Sequence, residues 1–121
     1  MSAKTILIVD DSPTEMMLLQ SALQGRGYTL LAATDGEQAL QMVMQLKPDL
    51  VLLDVILPKK NGFQVCRQLK TTPETKATKV IMITSKTQES DRFWGMKQGA
   101  DDYLTKPCSP EDLLRSVARF V

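Results

Sequence analysis

Short apolar runs, each ending in a polar or charged residue, recur along the chain. The most uniform are Thr5–Val9, Leu50–Leu53 and Val80–Ile83. Such runs, bounded by turn-forming or charged residues, are typical of strands that are buried on both faces of a parallel sheet. Tyr28–Ala33 is more mixed in composition, which predicts a strand nearer the edge of the sheet. A short last strand is predicted at Asp102–Thr105.

Between and after these strands, apolar residues recur at three- and four-residue spacing, which predicts amphipathic helices. The apolar faces of four helices are Met16, Leu19 and Leu23; Ala39, Leu40, Val43 and Leu46; Phe63, Cys66 and Leu69; and Leu113, Leu114, Val117 and Phe120. A further helix is predicted over Thr87–Gln98, and Gly99 ends it. The chain therefore alternates five strands with five helices.

Two helix starts carry capping sequences. Ser12 and Glu15, with Pro13 between them, predict a capping box in which Ser12 is the N-cap. Thr34 and Glu37 repeat the same spacing, which predicts Thr34 as the N-cap of the second helix.

Alternation of strands and helices at this spacing predicts an α/β fold, a doubly wound parallel sheet with helices on both faces. The 121 residues fit one domain, which we place at residues 1–121. Linkers, repeats and low-complexity tracts are absent from the sequence, and we expect no output domain to be attached.

Composition limits the chemistry that this domain can perform. The sequence has no histidine, which excludes Ser-His-Asp and Cys-His nucleophile systems and histidine metal sites. The net charge is +1, and Lys59-Lys60 is its only adjacent basic pair, so we expect no nucleic-acid partner. Cys66 and Cys108 match no metal spacing and are expected as reduced thiols. Without a signal peptide or a membrane-length apolar stretch, we expect a cytoplasmic protein that inserts into no membrane.

Polar residues with reactive groups follow four of the predicted strands. They are Asp10 and Asp11, Asp54, Thr84 and Lys106. Because the carboxyl ends of parallel strands meet at one edge of a sheet, we expect these side chains to lie together. Three neighbouring carboxylates repel one another and invite a cation, and oxygen ligands of this kind suit magnesium or calcium.

A carboxylate at such an edge can accept a phosphoryl group. That transfer requires the charge on the phosphoryl oxygens to be neutralised. A cation on Asp11 and Asp54, the Lys106 ammonium and the Thr84 hydroxyl would each cover one oxygen. The sequence contains neither of the glycine-rich loops that bind nucleotides, so we expect the phosphoryl group to come from another molecule.

Six short motifs together resemble one known family. They are Ile8-Val9-Asp10-Asp11-Ser12, Leu53-Asp54-Val55-Ile56-Leu57-Pro58, Asn61-Gly62, Ile83-Thr84-Ser85, Gly99-Ala100-Asp101-Asp102-Tyr103 and Lys106-Pro107. With these motifs the whole chain resembles the receiver domain of bacterial two-component response regulators. The resemblance implies a flavodoxin/CheY-like fold, a single (βα)5 domain whose parallel strands lie in the order 2-1-3-4-5.

The resemblance also implies a role for each matching residue. Asp54 would be the phosphoacceptor, and Lys106 would bind the phosphoryl group. The ligands of Mg²⁺ (or Mn²⁺) would be the carboxylates of Asp10, Asp11 and Asp54 and the backbone carbonyl of Ile56. Thr84 would be the switch hydroxyl, and Tyr103 the aromatic that moves inward when the domain is phosphorylated.

A closer resemblance is to the stand-alone PilH-like regulators of twitching motility and to phototaxis regulators. It rests on Asp11–Met16, Asp91–Gly95 and Gln98–Ala100. It implies a CheA-like histidine kinase as donor and a role in type IV pilus motility or taxis. The output face, made by residues 87–98, 102–105 and 110–121, would bind a downstream protein, with the domain itself a monomer or weak dimer.

Two other functions compete with the receiver role. The first is a small phosphatase or phosphotransferase that uses Asp54 as nucleophile, as haloacid dehalogenase-like enzymes do with Asp-x-Asp. Ile56 stands where those enzymes have their general acid, which argues against enzymatic turnover. The second is a protein-binding module that needs no phosphorylation, and the intact set of Asp, Thr and Lys argues against it.

The apolar residues of the fourth helix leave a question of orientation. Phe93 and Trp94 occupy adjacent positions and cannot both face the core. Either one of them is exposed at a partner surface, or a shallow helix buries one edge of Trp94. Most of the methionines are expected to fill the core: Met16, Met17, Met42, Met44, Met82 and Met96.

Overall fold

Five strands alternate with five helices in the computed structural model, which describes residues 3–121. The elements are β1 Thr5–Val9, α1 Pro13–Leu23, β2 Thr29–Ala33, α2 Gly36–Leu46, β3 Leu50–Leu53, α3 Gly62–Thr71, β4 Lys79–Thr84, α4 Glu89–Lys97, β5 Asp102–Thr105 and α5 Pro110–Ala118. Residues 1 and 2, which belong to the predicted domain, lie outside the described residues. All ten predicted elements are present, and α4 is shorter than predicted at both ends.

The five strands form one parallel sheet in the order β2-β1-β3-β4-β5. This confirms the implied order and the edge position of β2. The order reverses between β1 and β3, where Val9 pairs with Leu53. Ligands bind doubly wound sheets in the crevice at such a reversal. Asp10 and Asp54 directly follow these paired residues, so the register sets them side by side.

Both faces of the sheet are covered, and β3 lies at the centre of the core. All four residues of β3 are buried. Val51 and Leu53 belong to the cluster that packs under α2 and α3, while Leu50 and Leu52 belong to the cluster under α1 and α5. The prediction of a strand buried on both faces is confirmed, and Asp54 follows it at the edge of the core.

Two glycines allow helices to approach the site closely. A Cβ on Gly62 would overlap the carbonyl group of Asp54 and the Cα of Val55, so α3 can begin directly behind Asp54 only with glycine there. A Cβ on Gly95 would lie 2.9 Å from both Met82 Sδ and Tyr103 Cδ2. The buried surface of α4 is therefore this glycine, and the helix sits close to the sheet.

The close approach of α4 answers the question about its aromatic residues. Phe93 and Trp94 are both exposed, because Gly95 is the residue of α4 that is buried.

The prediction that six methionines fill the core was wrong for three of them. Met82 is buried and Met16 and Met42 are partly buried, but three others are exposed on helix surfaces: Met17, Met44 and Met96. Leu46, predicted on the apolar face of α2, is also exposed.

Both predicted capping boxes differ from the structure. Ser12 is the N-cap of α1, as predicted, and its Oγ accepts a hydrogen bond from Glu15 N at 3.3 Å. The return bond from Ser12 N goes to Asp10 Oδ1 at 2.9 Å instead of to the Glu15 side chain. In α2 the N-cap is Asp35 and not Thr34, because the helix begins at Gly36, one residue later than the predicted register.

Candidate functional site

Three aspartates meet at the carboxyl edge of the sheet, where the strand order reverses. One carboxylate oxygen from each of Asp10, Asp11 and Asp54 lies within 4.8 Å of the others. Asp10 and Asp54 are buried, whereas Asp11 is exposed to solvent. The structure thus brings together the three acids that the sequence predicted to converge.

Lys106, which follows β5, supplies the positive charge at this edge. Its Nζ lies 2.8 Å from Asp10 Oδ2 and 3.1 Å from Asp54 Oδ2. The backbone holds it there, because Lys106 N donates to the carbonyl oxygen of Thr84 at 2.8 Å. Burial acts to lower the pKa of the ammonium, but the hydrogen bond to Asp10 and the charge of Asp54 outweigh it and raise that pKa. Lys106 is therefore a permanent cation at neutral pH.

In each of the two buried carboxylates, one oxygen accepts a hydrogen bond from Lys106 and the other accepts one from a backbone N–H. Asp54 Oδ1 accepts from Ile56 N at 3.2 Å, and Asp10 Oδ1 accepts from Ser12 N at 2.9 Å. Both oxygens of each buried carboxylate therefore have a hydrogen-bond donor, which offsets the cost of burying the group. Three carboxylates against one ammonium leave a negative site that is open on the side of Asp11.

The donor set suits a hard divalent cation. All three acids offer carboxylate oxygens, the ligands that magnesium and manganese take most readily in proteins. Since Asp11 is the exposed member, a bound cation would keep part of its shell in water, as magnesium usually does. The predicted carbonyl ligand, Ile56, lies two residues after Asp54, and its ligand role stays a prediction.

The two predicted switch residues are linked through the backbone of Lys86. Thr84 is fully buried at the end of β4, and its Oγ1 accepts from Lys86 N at 3.4 Å. The Tyr103 hydroxyl donates to the carbonyl oxygen of Lys86 at 2.8 Å. The backbone of Lys86 therefore contacts both side chains. Sequence reasoning missed this link, because a backbone carbonyl has no signature in the sequence.

The ring of Tyr103 already lies inside the protein in this structure. Only 1% of the residue is exposed, and the ring packs on Gly95 of α4. Arg92 of α4 donates to the carbonyl oxygen of Tyr103 at 2.8 Å, which ties α4 to β5 from the outside. The ring of Tyr103 therefore occupies the inward position, and its switch role stays a prediction.

Tyr103 should ionise far above the usual range for tyrosine. Burial, together with the charges of Asp91 and Asp54, raises the pKa of its phenol from 10.0 to about 12, against a smaller opposite effect of Arg92. The unfolded chain ionises first, so stability falls as the pH rises from about 10 towards 12.

The measurement is an alkaline titration of tyrosinate absorbance in the wild type and in Tyr103→Phe. The other tyrosine, Tyr28, is present in both proteins and cancels in the difference. The difference should show a midpoint near pH 12. A midpoint near 10 would contradict the buried, hydrogen-bonded phenol.

Fold and site together define a class of protein: a small domain with an acidic pocket at the carboxyl edge of a doubly wound parallel sheet. The family model of the response regulator receiver domain matches residues 6–118. The chain belongs to this family of receiver domains, whose role is signalling rather than catalysis. Receiver domains obtain phosphoryl groups from histidine kinases and bind Mg²⁺ at an acidic pocket.

Individual relatives agree with this assignment. Protein PilH of Pseudomonas aeruginosa is 50% identical over 112 residues, which are 93% of this chain and 93% of PilH. The chemotaxis response regulator CheY4 of Vibrio cholerae is 30% identical with a TM-score of 0.91, over 99% of this chain and 100% of that structure. The CheY-like fold implied by the motifs is therefore confirmed.

A third relative bears on the metal. It is the receiver domain of the sensor histidine kinase PA1611 from P. aeruginosa, solved with a magnesium ion coordinated in its active site cleft. It is 27% identical, with a TM-score of 0.90 over 98% of both chains.

In residues 3–121 of the present chain, no helix has the length and apolar character needed to cross a membrane.

Proposed function

We propose that this chain is the receiver domain of a response regulator and accepts a phosphoryl group on Asp54. The observation that carries the proposal is the position of Lys106 Nζ, within 3.1 Å of Asp54 Oδ2 and 2.8 Å of Asp10 Oδ2. One lysine thus reaches the proposed acceptor and a proposed metal ligand at once. Asp54 is the buried acid at the end of the central strand, and α3 begins directly behind it.

The transfer itself is a displacement at phosphorus. A carboxylate oxygen of Asp54 attacks the donor phosphorus, and a new P–O bond forms while the bond from phosphorus to the leaving group breaks. The leaving group departs with that electron pair; it is an imidazole nitrogen from a phosphohistidine, or an acyl oxygen from a small-molecule donor. Lys106, already at the carboxylate, turns its ammonium to the phosphoryl oxygens and offsets their charge.

Asp10, Asp11 and Asp54, with the Ile56 carbonyl, would hold Mg²⁺ (or Mn²⁺) at the same edge. When bound, the cation supplies neutralising charge for the phosphoryl oxygens and reduces the repulsion among the carboxylates. Lys106 also reduces this repulsion. Its ammonium occupies Asp10 Oδ2 and Asp54 Oδ2, one oxygen of each buried acid.

Thr84, Lys86 and Tyr103 are proposed to carry the signal away from Asp54. Once the phosphoryl group is present, the Thr84 hydroxyl turns towards it and gives up the hydrogen bond from Lys86 N. The Lys86 segment, which holds the Tyr103 hydroxyl and pairs with Asp91 of α4 at 3.7 Å, then shifts. The Tyr103 ring is buried, and phosphorylation would shift a mixture of ring positions towards this buried one.

The proposed output face is made by α4, β5 and α5. A cavity of about 380 Å³ opens on it, lined among others by Arg92, Leu104, Arg115 and Arg119. Arg92 lies in this cavity and also holds the Tyr103 carbonyl oxygen, so the cavity wall is connected to the switch. This is where we expect a downstream protein to bind, with the domain itself a monomer or weak dimer.

We further propose a CheA-like histidine kinase as donor and a role in type IV pilus motility or taxis, in the cytoplasm. Support for the pathway comes from the 50% identity to PilH over 93% of both chains. The scattered charge of the sequence supports the absence of a nucleic-acid partner.

Phosphoryl uptake by the wild-type chain should depend on a divalent cation. With acetyl phosphate and Mg²⁺, intact-mass spectrometry should show the addition of one phosphoryl group. Chelation of the metal should slow uptake roughly tenfold or more, because the charge that it neutralises is worth several kcal/mol in the transition state. Mn²⁺ should restore the rate. Equal uptake with and without chelator would contradict the assignment of the three acids.

A further inference from the structure

We propose that Glu15 is a positioning residue for Lys106, and that its charge weakens anion binding at the site while strengthening cation binding. The inference rests on the proposed function of Asp54 and Lys106. It assigns a role to a residue that the sequence placed in a helix cap, outside the site.

The Glu15 side chain does not take part in the helix cap, because Asp10 accepts the hydrogen bond from Ser12 N that Glu15 would accept in a capping box. In a capping box, the Glu side chain would accept from the N–H of the N-cap residue. Here Ser12 N donates to Asp10 Oδ1, so that position is occupied by a residue of the site itself. The Glu15 side chain points instead towards Lys106, and its Oε2 lies 3.9 Å from Lys106 Nζ.

Lys106 therefore stands among three carboxylates. An ammonium has three N–H donors, and two of them serve Asp10 and Asp54 at 2.8 and 3.1 Å. The distance to Glu15 is too long for a hydrogen bond, so Glu15 acts through its charge. The two side chains share the wall of a cavity of about 160 Å³ between α1 and α5, which also includes Leu19 and Leu113. These apolar neighbours limit screening by water, although the Glu15 side chain is 36% exposed.

The charge of Glu15 should weaken the binding of an anion at Asp54. Binding of a phosphoryl-like group at Asp54 requires Lys106 to turn towards it, and Glu15 attracts the ammonium in another direction. The negative charge of Glu15 also repels the incoming anion directly. Both effects make the anion bind less tightly than it would beside a neutral residue.

The same charge should strengthen the binding of a cation at the three aspartates. Lys106 occupies Asp10 Oδ2 and Asp54 Oδ2, the oxygens of two proposed metal ligands. By attracting the ammonium, Glu15 makes these oxygens easier to free, and its own charge favours a nearby cation. Loss of that charge should therefore weaken cation binding.

The test is Glu15→Gln, with Glu37→Gln as the matched control. Glu37 is also a glutamate in the first turn of a helix, on the exposed side of α2. Mg²⁺ affinity is measured by calorimetry, and beryllofluoride affinity at saturating Mg²⁺ by fluorine NMR. Glu15→Gln should bind Mg²⁺ about two- to five-fold more weakly and beryllofluoride about two- to five-fold more tightly, the range of partly exposed charge pairs. Both changes should shrink in high salt, and the control should match the wild type.

Opposite changes in the affinities for Mg²⁺ and beryllofluoride separate this role from a structural one, because damage to α1 would weaken the binding of both ligands. Unchanged affinities in Glu15→Gln, or weaker binding of both ligands, would overturn the inference while leaving the proposed function intact. A wild-type chain that binds Mg²⁺ but no beryllofluoride would overturn the proposed function and this inference with it.

Discussion

The Asp54→Asn variant should fold like the wild type and take up no detectable phosphoryl group. An amide lacks the nucleophilic carboxylate oxygen, but its oxygen can still accept from Ile56 N, as Asp54 Oδ1 does at 3.2 Å. Lys106 keeps its partner Asp10 at 2.8 Å. Removal of one of three neighbouring negative charges also reduces repulsion, so we expect the free energy of unfolding to stay within about 1 kcal/mol.

Asp35→Asn is the matched control for the loss of uptake. Asp35 is the N-cap of α2, and asparagine caps helices about equally well. This variant should take up phosphoryl at the wild-type rate when both are followed by intact-mass spectrometry. Uptake retained in Asp54→Asn would move the acceptor to another residue and remove the basis of the proposed function.

Lys106→Met should destabilise the metal-free protein by roughly 3 kcal/mol. The change leaves the side chains of Asp10 and Asp54, 1% and 8% exposed, as neighbouring charges without their cation. Removing one partner of a buried ion pair is costly for this reason, even where the intact pair adds little. Mg²⁺ should stabilise this variant more than the wild type, because the metal replaces the missing charge at the same oxygens.

Lys79→Met provides the comparison, since Lys79 pairs with Asp101 at 4.0 Å and is 48% exposed. A surface pair of this kind contributes about 0–1 kcal/mol, so this variant should unfold close to the wild type. The free energy of unfolding of both variants is measured by denaturant titration, once with a chelator and once with Mg²⁺. If Lys106→Met were as stable as Lys79→Met in chelator, the ion-pair geometry at the site would be wrong.

The main elements of the fold could be predicted because the apolar runs carry a clear signal. Leu50–Leu53 predicts a strand buried on both faces, and all four residues are buried in the structure. The convergence of Asp10, Asp54 and Lys106 follows from one rule, that parallel strands end at the same edge. The strand order came from the family resemblance and not from the apolar pattern, since alternation alone leaves the order open.

The details that failed depend on contacts between distant residues. Ser12-Pro13-Thr14-Glu15 has the sequence of a capping box, but Asp10 competes for the Ser12 N–H, and only the folded site decides between them. Trp94 is exposed because Gly95 fits between Met82 and Tyr103. A spacing rule assigns the buried face to large apolar residues and misses a helix that packs through a glycine.

The link from Thr84 to Tyr103 was also beyond sequence reasoning. Both side chains contact the backbone of Lys86, one at its N–H and one at its carbonyl oxygen. Any residue could supply these two groups, so nothing at position 86 marks them. The roles of Thr84 and Tyr103 remain predictions, but the structure names the segment through which they would act.

Asp54 should carry the phosphoryl group in the wild-type chain, and chemical trapping of that group can locate it. The protein is phosphorylated with acetyl phosphate and Mg²⁺, reduced with borohydride and digested, and the peptides are sequenced by mass spectrometry. Borohydride converts an aspartyl phosphate to homoserine, so homoserine should appear at position 54 and depend on the phosphodonor. Homoserine at position 10 or 11, or a phosphoryl group on a serine or threonine, would show that Asp54 is not the acceptor.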